Sequence, residues 1–192
     1  MEHPYEDILT PSPTLSNFKK RLKIFFVIPN NKKKDIMTTN LDLEKYCKSL
    51  QVKLNGVFNK DDLPFLKHRK DGLYILNSEN LLEGSGVHWV GLVILGNQSC
   101  YFDSFGGEYP YRQVKEFSTN RLIYNNQRLQ DLTSVRCGEF CVYFGYCLLN
   151  KYKKIKGLHN RLKLFLNEFD KEDYKKNDDI LKEKFSSLNI NI

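Results

Sequence analysis

GVHWVGLVILGNQSCYFDSFGG, residues 86–107, places two apolar runs rich in β-branched and aromatic residues on either side of Gly96-Asn97. His88 to Leu95 and Gln98 to Phe105 have strand composition. The Gly-Asn pair suits the two-residue turns whose twist matches a hairpin. Such a turn fixes the register: Leu95 opposes Gln98 and, further from the turn, Val90 opposes Asp103. Because side chains alternate between faces, His88 and Asp103 then share a face as diagonal neighbours, about 7 Å apart at the backbone and within side-chain reach. Taken singly, each also reads as structural, the histidine as a satisfied strand residue and the aspartate as a turn former before Ser-Phe-Gly-Gly.

Working outward, MTTNLDLEKYCKSL (37–50) predicts a helix. Thr39 or Asn40 serves as cap, and Leu43, Tyr46, Cys47 and Leu50 lie on one face. GVFNKDDLP (56–64) reads as a turn-rich connection and GLYILNS (72–78) as a short strand. On the other side of the hairpin, YRQVKEFS predicts a helix and RLIYNN a strand. Near the C-terminus, GLHNRLKLFLNEF and DDILKEKFSSL predict two amphipathic helices.

The chain of 192 residues, 41% hydrophobic, is long enough for one buried core. Residues 37–192 are expected to form that domain. Residues 1–36 are expected to be a basic extension whose first 17 residues, with Pro4, Pro11 and Pro13, stay mobile. The start has no basic-then-apolar leader, and no apolar run approaches a membrane span. A soluble intracellular protein without a membrane partner is expected. The odd count of five cysteines gives no disulfide framework, so free thiols are expected. The excess positive charge sits at the flanks. Residues 1–36 hold seven Lys/Arg against four Asp/Glu, residues 151–192 hold eleven against seven, and the middle balances at twelve each. Basic flanks are able to meet DNA or an acidic partner, although solvated helix faces look the same.

QDLTSVRCGEFC (130–141) leads into the most apolar segment of the chain. Thr133 or Ser134 is the expected N-cap, with Cys137, Phe140, Cys141, Phe144 and Leu148 forming one helical stripe. Cys137 then falls in the first turn, where free N–H groups and the helix dipole favour an anion such as a thiolate. Cys141 and Cys147 lie deeper, as small hydrophobes. The four histidines are scattered and no Cys-x-x-Cys occurs, which disfavours a metal site. A Cys137–Cys141 disulfide is awkward on a helix.

Core packing and nucleophilic catalysis therefore compete. A thiol protease needs a thiolate, an imidazole, a group that orients the imidazole, and oxyanion donors. Cys137, His88, Asp103 and Gln130 supply these in order, with the Gln130 amide expected beside the backbone N–H of Cys137.

Taken together, GVFNKDDLP, GVHWVGL, YFDSFGGEYP and LQDLTSVRCGEFC resemble the adenovirus maturation protease (adenain) family and its relatives in Polinton/Maverick-type elements, and more distantly the SUMO-specific proteases. The likeness covers residues 37–150. It implies a papain-like α+β fold, with a central mixed sheet and the nucleophile at the N-terminus of a buried helix. It implies His88, Asp103, Gln130 and Cys137 as catalytic residues and Trp89 as a substrate-binding residue beside the cleft. The family cuts precursor or capsid proteins after glycine in small-residue motifs. The resemblance thus implies a monomeric endopeptidase of a DNA virus or virus-derived element, working in the host nucleus or virion. The same four residues would serve a ubiquitin or SUMO isopeptidase, and a non-catalytic, nucleic-acid-binding or capsid-associated domain is the remaining alternative. No cofactor is needed for the chemistry. DNA and a disulfide-linked peptide activate adenain, but no cysteine lies between Asp103 and Gln130 to take that peptide.

Overall fold

The Gly96-Asn97 turn sets the register of the structure, a computed structural model that describes residues 38–78, 88–107, 109–119 and 121–192. Strand β3 (Trp89–Leu95) pairs antiparallel with β4 (Gln98–Phe102), and Leu95 opposes Gln98 as the two-residue turn requires. Gly96 takes φ +58°, and its N–H donates to Asp71 Oδ1 at 2.9 Å, pinning the turn to the loop before β2 (Gly72–Asn77). The strands are shorter than the composition suggests. Regular pairing stops at Gly91–Phe102, so His88 and Asp103 lie just beyond the ladder.

Strand β2 pairs antiparallel with β3 and parallel with β1 (Leu54–Asn59), while β5 (Arg121–Tyr124) adds parallel to β4, giving a five-stranded mixed sheet in chain order. The expected connection at GVFNKDDLP is corrected here. Its first half is β1, an edge strand with a bulge between Leu54 and Gly56, and its second half is a 3₁₀ helix over Lys60–Phe65. The polar, glycine-bearing sequence hides a strand because β1 is only half-buried, at the sheet edge.

Both sheet faces are covered, which explains why β2 and β3 read as continuous apolar runs. On one face, Leu73, Ile75, Val93 and Phe102 pack under α1 (Asn40–Ser49), α3 (Cys137–Tyr146), α4 (Leu158–Leu166) and α5 (Tyr174–Ser187). On the other, Tyr74, Leu92, Ile94 and Tyr101 meet Leu63 of the 3₁₀ helix and Val114 and Phe117 of α2 (Arg112–Phe117). This is an α+β arrangement. Gly91 brings α3 close to the sheet, since a Cβ there would stand 3.1 Å from the Phe144 ring, which itself stacks on Phe102 at 5.0 Å.

Helix α1 begins as predicted. Thr39 and Asp42 form a reciprocal capping box, and Leu43, Cys47 and Leu50 face the core. Helix α3 departs from expectation in being buried from Cys137 through Gly145 on all sides rather than along one stripe. Helix α5 starts earlier than DDILKEKFSSL suggests, capped by Asp173, whose side chain accepts from Lys176 N–H. The predicted extension, residues 1–36, lies outside the described residues. Among the described residues no helix is long and apolar enough to cross a membrane.

Past α3 the chain makes one π-helical turn, Cys147–Lys151. Arg161, buried on α4, satisfies the carbonyls of Leu148, Lys153 and Ile155 around it at 2.7–2.8 Å. Glu168 joins these helices. Its carboxylate accepts from Lys151 (2.6 Å), Tyr152 (2.7 Å), Tyr143 (2.8 Å) and Lys184 (3.0 Å). Burial opposes its charge, but these donors outweigh it and draw its pKa down to about 2. A value lowered on folding stabilises the protein above the ordinary glutamate range, and that stability is lost as pH falls toward 2. With both lysines a third exposed, Glu168→Gln is expected to cost about 1–2 kcal/mol at pH 7. The gap from wild type should close between pH 4.5 and 2 in urea melts.

Candidate active site

Three chemically active side chains meet at the ends of elements. His88 immediately precedes β3, Asp103 immediately follows β4, and Cys137 is the first residue of α3. The diagonal pairing expected from the hairpin is present, with His88 Nε2 2.8 Å from Asp103 Oδ1. The pairing assigns the ring proton to Nε2 and leaves Nδ1 to the other side. Nδ1 is buried and makes no hydrogen bond among the described residues. The Cys137 thiol is nonetheless near enough to add to the ring's basicity. The Trp89 N–H donates to Cys137 Sγ at 3.4 Å, so the residue after the histidine also steadies the sulfur.

Asp103 is held from several directions. Its Oδ1 accepts the Phe105 N–H at 2.8 Å as well as the imidazole. Asn125, buried just past the end of β5, accepts the Asp103 N–H at 2.9 Å and donates to the Asp103 carbonyl at 2.7 Å. A side chain thus continues the ladder where the backbone of β5 leaves off. The Phe105 ring lies 4.7 Å from the His88 ring and covers it. At Gly106 (φ +66°) a Cβ would strike the Arg128 N at 2.6 Å, so the glycine lets two loops pass each other.

Electrostatics follow from this enclosure. Burial works against a charged imidazole, but the Asp103 charge and hydrogen bond, helped by Cys137, push His88 up to about 10. Burial likewise opposes the Asp103 carboxylate, and His88 with the Phe105 N–H holds it below its ordinary value. Cys100, Cys141 and Cys147 are pushed up by burial, which keeps them as protonated packing groups. All five cysteines are free.

The start of α3 corrects the sequence expectation. Neither Thr133 nor Ser134 is the N-cap: the helix begins at Cys137 after Arg136, which makes no side-chain cap. Thr133 is instead turned onto Asp131, whose Oδ1 accepts its N–H at 2.9 Å and its hydroxyl at 2.6 Å. Ser134 is engaged by Gln130. Gly138 explains the Cys-Gly pair, because a Cβ there would come 2.8 Å from Leu43 and 3.2 Å from the Trp89 ring. Trp89 itself is 5% exposed, with its indole N–H on the Thr38 carbonyl at 3.2 Å.

Gln130 is fully buried. Its Oε1 accepts the Ser104 hydroxyl at 2.6 Å, and its Nε2 donates to the Ser134 carbonyl at 2.9 Å and meets the Ser134 hydroxyl at 3.2 Å. The amide is therefore anchored against the backbone that leads into α3. Ser104 and Asn125 escaped the sequence reading, since buried polar residues in loops leave no periodic signal. Among the described residues no group of three or more His, Cys, Asp or Glu is placed to hold a metal ion.

Compared with known proteins, the chain matches no family model and no curated protein.

The imidazole's contribution to stability is complete below about pH 6.5 and fades as pH rises toward 10, whereas that of Asp103 is lost in acid. In wild type the His88 ring should stay charged at pH 8 by NMR of labelled imidazole. Asp103→Asn removes the counter-charge but not the burial, and should bring the titration to 6.5 or lower.

Proposed function

We propose that this chain is a cysteine endopeptidase of papain-like, adenain-like architecture. The observation that carries the reading is the His88–Asp103 pair, with Cys137, the first residue of a buried helix, close enough to the imidazole to raise its basicity. The four motifs quoted above support it in sequence. With the His88 ring charged, Nδ1 already holds the proton and Cys137 reacts as the thiolate of an ion pair, which attacks the scissile carbonyl carbon. The tetrahedral oxyanion is met by the Cys137 N–H and by the Gln130 amide. To meet the oxyanion the Gln130 amide would exchange its contact with the Ser134 hydroxyl, the longer of its two, for one to substrate. Collapse expels the amine, which takes the Nδ1 proton, and a water deprotonated by the same nitrogen hydrolyses the thioester. Asp103 keeps the ring in the required tautomer and stabilises its charged form. Trp89, next to the histidine, is the residue proposed to meet substrate there.

The substrates we propose are precursor or capsid proteins of a DNA virus or virus-derived element, cut after glycine. DNA is proposed as an activator that meets the exposed Lys153, Lys154 and Lys156 beyond α3.

Wild type is expected to cleave a Gly-Gly peptide, with Cys137→Ala lowering the rate by roughly 10³-fold or more. Cleavage that survives Cys137→Ala would remove the mechanism. Faster labelling by a tagged ubiquitin or SUMO probe than by a glycyl peptide probe would move the substrate class to protein modifiers. Titrating the site with and without DNA at two salt concentrations checks the activator.

A further inference from the structure

Helix α5 reaches the loop that carries Gln130 with three residues of a single turn. Asn177, fully buried, donates to the Leu129 carbonyl at 2.9 Å. The Tyr174 ring lies 4.2 Å from the Arg128 guanidinium, and Arg128 Nε donates to the Gln130 carbonyl at 2.7 Å. Asp178 lies near enough to the Ser134 side chain, the group that also meets the Gln130 amide, for Ser134 to favour its charged form. Positions 174, 177 and 178 follow the i, i+3, i+4 spacing of one helix face. That face continues into Leu181 and Phe185, both fully buried in the core.

Position 177 stands at the head of that apolar stripe. An amide there is sustained only because all of its bonds are made: it also accepts the Asp170 N–H at 2.7 Å and donates to the Asp170 carbonyl at 2.9 Å. From the other side, the Ser104 carbonyl accepts the N–H groups of Leu129 and Gln130 at 2.8 and 3.0 Å. The backbone of Leu129 and Gln130 is thus gripped between the turn after β4 and the first turns of α5.

We propose that Asn177, with Tyr174, is a positioning residue that sets the Gln130 amide for the oxyanion, making α5 part of the catalytic apparatus although it touches neither substrate nor thiol. This rests on the cysteine-protease reading. The proposal separates two reactions of one sulfur. Peptide cleavage passes through a tetrahedral oxyanion and needs Gln130. Alkylation by iodoacetamide displaces iodide at a saturated carbon, forms no oxyanion, and needs only Cys137 and His88.

Asn177→Asp keeps the side chain's size and its acceptor for the Asp170 N–H but lacks the donor to the Leu129 and Asp170 carbonyls. Asn177→Leu extends the apolar stripe and removes the bonds to Leu129 and Asp170 together. Both are expected to lower kcat for a Gly-Gly peptide about 10- to 100-fold, a partial loss of one oxyanion donor. KM and the pH-dependent rate of Cys137 alkylation should stay within about twofold of wild type. Tyr174→Phe, which keeps the ring under Arg128, should match wild type, while Tyr174→Ala should lower kcat. Cleavage and alkylation falling together, both staying unchanged, or failure of both Asn177 variants to fold would each overturn the positioning role. A wild type whose peptide cleavage survives Cys137→Ala, or that does not cleave at all, would instead overturn the protease reading on which the inference rests.

Discussion

A carboxylate and an imidazole largely withdrawn from water must satisfy each other or lose their charges, and the organisation around Asp103 answers that constraint. The carboxylate is paired with His88 and a backbone N–H, while Asn125 holds its backbone on both sides. Phe105 closes over the ring, and Gly106 lets the neighbouring loop come close enough to complete the enclosure. Five consecutive residues, Asp103 to Gly107, thereby share one task. Asp103 orients the imidazole, Ser104 holds the Gln130 amide, and Gly107 leaves room beside the carboxylate, since a Cβ there would sit 3.0 Å from Oδ2.

The sulfur arrives by a different route. It depends on α3 lying flush against β3, which needs the missing side chain of Gly91 and the stack of Phe144 on Phe102. It also depends on Gly138, where α3 meets α1 and Trp89. The burial of α3 on every side gives Cys137 a fixed position without any side-chain cap, so packing does here what capping chemistry does at α1.

How much of this was legible in the sequence depended on whether a residue's role was periodic. The hairpin register followed from Gly96-Asn97 and from the way strand side chains alternate between faces, which puts His88 and Asp103 on the same face. The capping box of α1 was legible because its polar residues act locally. Strand β1 was not, because an edge strand with a bulge and a glycine offers neither alternation nor an apolar run. The Thr133/Ser134 expectation failed for a related reason. Those hydroxyls had the right identity for a cap, but Asp131 and Gln130 compete for them. What Asn125 and Asn177 do for the site runs through partners 22 and 48 residues away, which no local pattern can disclose.

The tight turn at Gly96-Asn97 also bears on time. His88 and Asp103 are 15 residues apart and joined by a hairpin, an element that closes within about 1–10 μs. Cys137 meets the Trp89 N–H across 48 residues, through a docked helix whose loop is gripped by residues near the end of the chain. On this topology the polar pair is drafted early and the sulfur joins late. Until α3 docks, Cys137 has neither the Trp89 N–H nor the His88 ring beside it.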